Sequence, residues 1–262
     1  MSKRSTSKFS LSNHYGTVFN QMTSIQMYKF AEQFCSKKKV LDVGCSIGRG
    51  LGLISKKASF VVGLDIDKNA IEIAKINYQN NKKIKLINGN IEKLDINIGI
   101  FDTILIYQAI YLMDVRKTIE SMKNLLNKNG QIVLMSINPD RHDFNPSKFA
   151  TTYHEIDELK YLFNQEGFDC DLYGSIHDKQ INYRGNMHSV IKWLKFLASK
   201  MKIIPSNYKF KKILKRIFYG PLKEIPDDVN NLRNVKYIEP KKFKNKSEYK
   251  DYIAFYLVAK LN

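Results

Sequence analysis

The chain has 262 residues, of which 44% are apolar, so it can bury the core of one large domain, and collagen-like, mucin-like and wholly disordered proteins are excluded. Lys and Arg outnumber Asp and Glu by 43 to 25, and the net charge of +18 indicates an anionic partner of some kind. No metal-ligand spacing occurs, so no metal site is predicted. A cytoplasmic location is predicted because the three cysteines are scattered, the N-terminus is polar and no apolar run is long enough to span a bilayer.

Apolar runs alternate with amphipathic stretches along most of the chain. Strands are predicted at residues 40–45, 60–66, 84–87, 101–107, 131–137, 168–176 and 252–261. Helices are predicted at residues 49–57, 68–80, 115–127 and 156–165, with Asn129-Gly130 closing the third of them. This alternation predicts an α/β fold, a doubly wound seven-stranded sheet that is mostly parallel and has a final antiparallel strand.

The excess positive charge is concentrated in one segment. Residues 179–250 contain 19 basic and 5 acidic residues, against 24 and 20 in the rest of the chain, and four of the six prolines. We therefore expect a basic helical cap at 179–250, inserted between the last two strands of a domain formed by 1–178 and 251–262. Its two amphipathic helices would bury the stripes Val190, Leu194, Leu197 and Met201, and Phe210, Ile213, Leu214, Ile217 and Phe218.

A glycine-rich turn follows the first predicted strand. Residues 44–50 read Gly-Cys-Ser-Ile-Gly-Arg-Gly, and the second strand ends in Asp65. Small residues let a ligand approach the backbone closely, and an acid at the end of the next strand can accept hydrogen bonds from ribose hydroxyls. The pair of features predicts a nucleoside-containing ligand. The spacing is neither the Gly-x-Gly-x-x-Gly of nicotinamide enzymes nor a Walker phosphate loop.

The chain resembles the class I S-adenosylmethionine-dependent methyltransferases, Rossmann-like enzymes of the small-molecule type. Leu-Asp-Val-Gly-Cys-Ser-Ile-Gly at residues 41–48 is similar to the first motif of that family. Similar motifs follow in the expected order at residues 63–67, 88–94, 101–112, 125–134 and 159–168. The resemblance covers residues 40–176 and 252–261, and it implies S-adenosyl-L-methionine as the cofactor.

The resemblance also assigns cofactor-binding roles to individual residues. The turn residues Gly44, Cys45, Ser46 and Gly48 would surround the methionine part of the cofactor, and Asp42 would help to hold its ammonium group. Ser46 stands where glycine is commoner in the family, a change that a turn tolerates. An alternative role for Asp42 is to cap the following helix, and the Cys45 side chain is expected to be a small buried apolar group rather than a nucleophile.

The later motifs would bind the nucleoside part of the cofactor. Asp65 would bind the ribose diol, Ile66 would pack on the adenine, and Asn90 and Ile91 would meet the adenine edge. Asn90 replaces the aspartate that is usual there. Asp67 is expected to be a helix N-cap. The remaining assignments are Tyr107 and Gln108, on the floor under the sulfonium, and Tyr15, in an N-terminal lid at residues 1–30.

The acceptor is expected to be a small anionic molecule, a phosphorylated compound or a nucleotide-linked sugar, methylated at oxygen. The fourth motif lacks the Asn/Asp-Pro-Pro-Tyr/Phe of amino-methylating enzymes, and a hydroxyl acceptor needs a base. His154 is the first candidate, followed by Tyr111 and His142. Arg184, near the start of the insertion, is the candidate for gripping the acceptor anion.

Other functions remain open at this point. The basic helices could lie on an anionic bilayer, with Trp193, Phe196 and Leu197 inserted, for a lipid or quinone acceptor. They could instead hold RNA through phosphate contacts, or cover the acceptor without binding it. Outside enzymes, the chain could bind the cofactor only to regulate a partner protein.

Overall fold

A mixed sheet forms the centre of the computed structural model, which describes residues 15–16, 18–93, 97–141, 144, 146–147, 149–180, 213, 216, 223–232 and 236–261. The strands of the described chain are β1 (Tyr15–Gly16), β2 (Lys39–Val43), β3 (Phe60–Asp65), β4 (Ile84–Asn88), β5 (Phe101–Tyr107), β6 (Leu126–Ile137), β7 (Phe168–His177), β8 (Lys223–Glu224), β9 (Lys241–Lys242) and β10 (Tyr252–Leu261). Its α-helices are α1 (Val18–Cys35), α2 (Leu51–Ser55), α3 (Lys68–Asn77), α4 (Val115–Asn124) and α5 (Ile156–Gln165).

Eight of these strands form one sheet in the order β4-β3-β2-β5-β6-β10-β7-β9. The first five in this order are parallel, whereas β10 lies between β6 and β7 and is antiparallel to both. The strand order reverses between β2 and β5, and in doubly wound sheets ligands bind at such a switch point, outside the carboxyl ends of the strands. The predicted fold class is confirmed.

Helices cover both faces of the sheet, which explains why its central strands are continuous apolar runs. On one face, α1 to α3 enclose a cluster in which Phe30 packs against Tyr173 and Tyr256, with ring centroids 5.3 and 4.4 Å apart. On the other face, α4 and α5 bury Ile119 and Phe163 against the same strands. In the described part of the chain, no helix is both long and apolar enough to cross a bilayer.

Three elements differ from the sequence prediction. The sheet has an eighth strand, β9, whose two exposed lysines pair with the edge of β7 and give no hydrophobic signal. Helix α1 was not predicted, since residues 1–30 were assigned to a lid and no helix was expected there. The predicted stop at Asn129-Gly130 is wrong, because α4 ends at Asn124 with Leu125 as its C-cap, and residues 126–137 belong to β6, with Asn129 at a φ of 63°. The predicted cap of α3 is confirmed, since the Asp67 carboxylate accepts from Asn69 N and Ala70 N.

The basic insertion leaves and re-enters the sheet at one edge. Because β10 is antiparallel to both β6 and β7, strand β7 runs parallel to the central strands, and His177 and Tyr252 both lie at their carboxyl edge. Of the two predicted cap helices, only Ile213 and Arg216 are described, and both are helical. The other stripe residues lie outside the described residues, and the division into domain and cap stays a prediction.

Candidate cofactor and active site

The turn after β2 curves tightly against the end of β5. Gly44 and Gly48 have φ values of 74° and 80°, and Ser46 also has a positive φ, 52°. The amides of Gly44 and Cys45 donate to the carbonyl oxygen of Leu64, 2.8 and 3.2 Å away, which fixes the turn to β3. A Cβ atom on Gly44 would lie 2.8 Å from the Cβ of Ala109, so only glycine fits there.

Cys45 is buried inside this turn. Burial raises the pKa of its thiol well above the ordinary value, so the sulfur stays protonated near neutral pH. Its Sγ atom would lie 2.9 Å from a Cβ on Gly63. The side chain therefore packs as a small apolar group. At this position only the backbone of the turn is left to contact a cofactor.

Asp65 is held against the turn by two backbone amides. Its Oδ2 accepts from Ser46 N at 2.7 Å, and its Oδ1 accepts from Asp67 N at 2.8 Å. Burial raises the pKa of this carboxyl, and the two amide donors oppose that shift. Next to it, the Ile66 side chain is 61% exposed, so a fixed carboxylate and a bare apolar surface lie side by side at the end of β3.

The end of β4 lies against the end of β3. Asn88 Nδ2 donates to the carbonyl oxygens of Asp65 and Ile66 at 2.9 and 3.0 Å, contacts that the sequence did not predict. Asn90 Oδ1 accepts from Glu92 N at 3.0 Å, so it caps the short 3₁₀ turn Ile91–Lys93. The side chain of Ile91 is buried in the core. One lone pair of the Asn90 amide oxygen is therefore already used within the chain.

Asp42 lies beneath the turn as a buried carboxyl, 1% exposed. Burial raises its pKa to about 7, although a hydrogen bond from the Tyr28 hydroxyl to its Oδ2, 3.3 Å long, opposes that shift. Tyr28 lies in α1 and was not predicted as a site residue. The sequence offers one signal for this contact, the glycine at position 50, because an added Cβ there would lie 2.1 Å from the Tyr28 ring.

The end of β5 completes the floor of the site. The Tyr107 ring packs edge-to-face on Tyr28, with centroids 5.2 Å apart, and burial raises the pKa of its hydroxyl. Gln108 follows at a φ of 53°, and its backbone amide donates to Met135 O at 2.9 Å. The Tyr107 hydroxyl and Gln108 Oε1 are buried and have no hydrogen-bond partner within the described structure. Unpaired polar atoms at a strand end are a feature of ligand sites.

The candidate catalytic residues lie beyond β5 at the same edge. Tyr111 stacks on Tyr153 with ring centroids 4.9 Å apart, and its carbonyl oxygen accepts from Thr151 N at 2.8 Å. His154 follows in this loop, with Nδ1 2.9 Å from Glu158 Oε1 but not aligned for a hydrogen bond. The structure thus brings Tyr111 and the His154 loop together. Among the described residues, neither side chain makes a hydrogen bond or a ring contact with the candidate cofactor residues.

The remaining predicted site residues lie outside the described part of the chain. These are His142, Arg184 and the side chain of Tyr15. The Tyr15 backbone is described, and it pairs in β1 with Glu224 of β8. The N-terminal segment therefore contacts the returning part of the insertion, next to the cofactor turn.

Residues 223–232, which we call the strap, dock on the N-terminus of α2. Arg49 Nη1 donates to Ile225 O and Pro226 O at 3.0 and 3.1 Å, and Val229 N donates to Arg49 O at 2.8 Å. Burial lowers the pKa of Arg49. Gly52 completes the fit, since a Cβ there would lie 2.1 Å from Asp228 Oδ2. Sequence reasoning did not find this contact, which joins residues far apart in the chain.

Comparison with known proteins identifies the class. A family model described as a methyltransferase domain matches residues 35–249. A probable S-adenosylmethionine-dependent methyltransferase of Mycobacterium tuberculosis is 26% identical over 155 residues, which cover 56% of this chain and 55% of that protein. A ubiquinone/menaquinone biosynthesis C-methyltransferase of Wigglesworthia glossinidia brevipalpis is 25% identical over 185 residues, 68% of this chain and 64% of that protein.

Solved structures agree on the fold. The YcgJ protein of Bacillus subtilis superposes with a TM-score of 0.55 at 16% identity, covering 93% of this chain and 99% of that one. The chain matches about half the length of the M. tuberculosis relative. Because the family model spans most of the sequence, the chain belongs to the methyltransferase-domain family, and the class is that of the S-adenosylmethionine-dependent enzymes.

The residues present fit this cofactor. The turn has three residues at positive φ, and its Gly44 position admits only glycine. Together with a carboxylate fixed beside an exposed isoleucine and unpaired oxygens on Tyr107 and Gln108, it suits a ligand that combines a ribose, an adenine and a cationic tail. The buried Asp42 carboxyl suits the cationic part, because burial of an unpaired carboxylate is costly.

Proposed function

We propose that the protein transfers the methyl group of S-adenosylmethionine to an oxygen atom of a small anionic acceptor, a phosphorylated compound or a nucleotide-linked sugar. The main support is the Asp65 carboxylate, bound to Ser46 N and Asp67 N beside the glycine turn, which is the arrangement a ribose diol needs. The bound cofactor supplies an activated methyl group on a sulfonium. The chain then has to align an acceptor lone pair with that methyl and exclude water.

Each cofactor residue keeps the role given by the resemblance. The backbone of Gly44, Ser46 and Gly48 takes the methionine part, and Asp42 its ammonium. The nucleoside part lies against the Ile66 side chain, with Asn90 and the backbone of Ile91 at the adenine edge, and the sulfonium lies above Tyr107 and Gln108. Tyr15 closes the site from the N-terminal lid. The positions of the turn, of Asp65 and of the exposed Ile66 support these roles.

The base is assigned to His154. Its Nδ1 lies 2.9 Å from Glu158 Oε1, so that carboxylate can orient the ring while the other ring nitrogen takes the acceptor's hydroxyl proton. Burial raises the pKa of Tyr111, so this hydroxyl stays protonated and suits a hydrogen-bond donor better than a base. His142 is the remaining candidate.

The anionic acceptor is supported by the charge of the insertion and by where it meets the sheet. A cavity of about 390 Å³ lies where the insertion begins and ends, and His177, Lys179, Lys241, Glu239 and Tyr252 are among its lining residues. The two lysines come from opposite ends of the insertion. Arg184 follows Lys179 closely in sequence, and we propose that it grips the anion.

A second candidate is an apolar, planar acceptor such as a quinone. The Tyr111–Tyr153 stack is extended by Phe144, whose ring centroid is 4.8 Å from that of Tyr153. Beside this stack, Phe149 is 49% exposed and Leu112 is partly exposed. An aromatic wall at the acceptor edge favours a flat apolar molecule, and one relative is a ubiquinone/menaquinone biosynthesis C-methyltransferase.

Two measurements test the proposal. Calorimetry should give one-to-one binding of S-adenosylhomocysteine, and a labelled donor should methylate phosphorylated or nucleotide-linked sugars in preference to quinol analogues. Preference for quinols would favour the second candidate, and salt-sensitive methylation of RNA would favour the nucleic-acid alternative. Tight cofactor binding without transfer to any of these acceptors would favour the regulatory protein. No binding of S-adenosylhomocysteine would refute the proposal itself.

A further inference from the structure

Asp42 has an unusual set of neighbours for a buried carboxyl. Tyr28 and Cys35 face it from α1, Cys45 and Asp65 from the turn and β3, and Tyr107 from β5. None of these groups is a cation. Within the described residues, the only hydrogen bond to the carboxyl is the one that the Tyr28 hydroxyl donates to Oδ2.

The Tyr28 ring is fixed on two sides. Gly50 leaves the space that one face of the ring occupies, since an added Cβ would lie 2.1 Å from it, and Tyr107 packs edge-to-face at 5.2 Å. The side chain is only 5% exposed. The confined ring fixes the position of the hydroxyl oxygen, 3.3 Å from Asp42 Oδ2.

We propose that Tyr28 is a positioning residue for the cofactor, because its hydroxyl occupies Asp42 Oδ2 and leaves Oδ1 to accept the cationic end of the methionine part. This inference rests on the proposed function, since it assigns a role at that same cofactor site. It adds a residue from α1, outside the motifs of the resemblance, to the set that binds the cofactor.

A pH dependence follows from this arrangement. The cationic group prefers an ionised Asp42, so affinity should rise with pH until the carboxyl is deprotonated. The Tyr28 hydrogen bond lowers the pKa of Asp42 against the effect of burial. Removing that hydroxyl should therefore move the midpoint of the affinity curve to higher pH and weaken binding near neutrality.

The test is Tyr28→Phe, which keeps the ring and removes only the hydroxyl. Calorimetric titration of the full-length protein with S-adenosylhomocysteine between pH 5.5 and 8.5 should show Kd at least five-fold higher at pH 7 and a midpoint shifted upwards. The matched control is Tyr256→Phe, which loses a buried hydroxyl that donates to Gln26 O at 2.6 Å in the same aromatic cluster. The control should lose stability, but the pH midpoint of its affinity curve should not change.

A double-mutant cycle separates positioning from general destabilisation. In an Asp42→Asn background, Tyr28→Phe should have almost no further effect on Kd. Equal effects of Tyr28→Phe in both backgrounds, or a wild-type midpoint in the single variant, would overturn the inference while leaving the proposed function intact. If the wild-type protein itself fails to bind S-adenosylhomocysteine, the proposed function fails first.

Discussion

Asp42→Asn should remove a loss of stability that the wild-type protein suffers as pH rises from about 4 to about 7. Burial raises the pKa of Asp42 from 3.8 to about 7, so between these values the folded chain binds a proton that the unfolded chain has released. Ionisation of the Asp42 carboxyl therefore lowers the free energy of unfolding as pH rises through this window. The asparagine variant cannot ionise and should escape that loss.

The magnitude follows from the size of the shift. A shift of about 3 pH units at about 1.36 kcal/mol each gives up to about 4 kcal/mol at pH 7 and above, and almost nothing at pH 4. Urea unfolding without cofactor should show the difference in free energy of unfolding, variant minus wild type, growing between pH 4 and pH 7.5. With saturating S-adenosylhomocysteine the sign should reverse, because only the wild type gains the cation.

Asp102→Asn provides a control of opposite sign. Asp102 accepts from Lys39 N at 2.8 Å and from Asn127 Nδ2 at 2.7 Å, contacts that lower the pKa of its carboxyl. Its contribution to stability is present above its unfolded pKa and is lost as pH falls through the folded one. If the Asp42→Asn difference were the same at pH 4 and pH 7.5, Asp42 would not be the buried ionisable group described here.

Three further substitutions test other parts of the site. Asp65→Ala should weaken S-adenosylmethionine binding by about 1–3 kcal/mol in calorimetry, because the ribose diol loses its acceptors; an unchanged Kd would remove Asp65 from the site. Gly52→Ala should lower the Tm, since its Cβ would lie 2.1 Å from Asp228 Oδ2, and Asp228→Ala should restore part of that loss; no rescue would place the strain elsewhere. Arg184→Ala should lower kcat/KM for the acceptor about ten-fold, or about 1.4 kcal/mol, with Kd for S-adenosylhomocysteine unchanged; full kcat/KM would favour the apolar acceptor.

The sequence predicted the central sheet and the turn because both depend on local patterns. Apolar runs mark strands that are buried on both faces, and Asp67 in front of α3 is a short-range capping signal. The left-handed conformation of Gly44 and Gly48 also belongs to the turn itself. Such features need no knowledge of what the rest of the chain does.

The residues that the sequence missed are those joined by distant contacts. Helix α1 has a weak amphipathic pattern, because the polar Gln26 and Glu32 are buried in it. The Oε1 of Gln26 accepts from Ile238 N at 3.2 Å, across more than two hundred residues. The Tyr28–Asp42 bond likewise links an unmarked helix to the first motif. No spacing rule relates these positions.

The run of glycines after β2 serves two physical purposes. Gly44 and Gly48 are needed for positive φ, whereas Gly50 has an ordinary φ of −98° and makes room for the Tyr28 ring. Gly52 in turn makes room for Asp228 of the strap. The first glycines thus shape the cofactor turn, and the later ones let α1 and the basic insertion dock directly behind it. Because Arg49 lies between the two sets and donates to the strap, this part of the basic insertion is tied to the end of the turn.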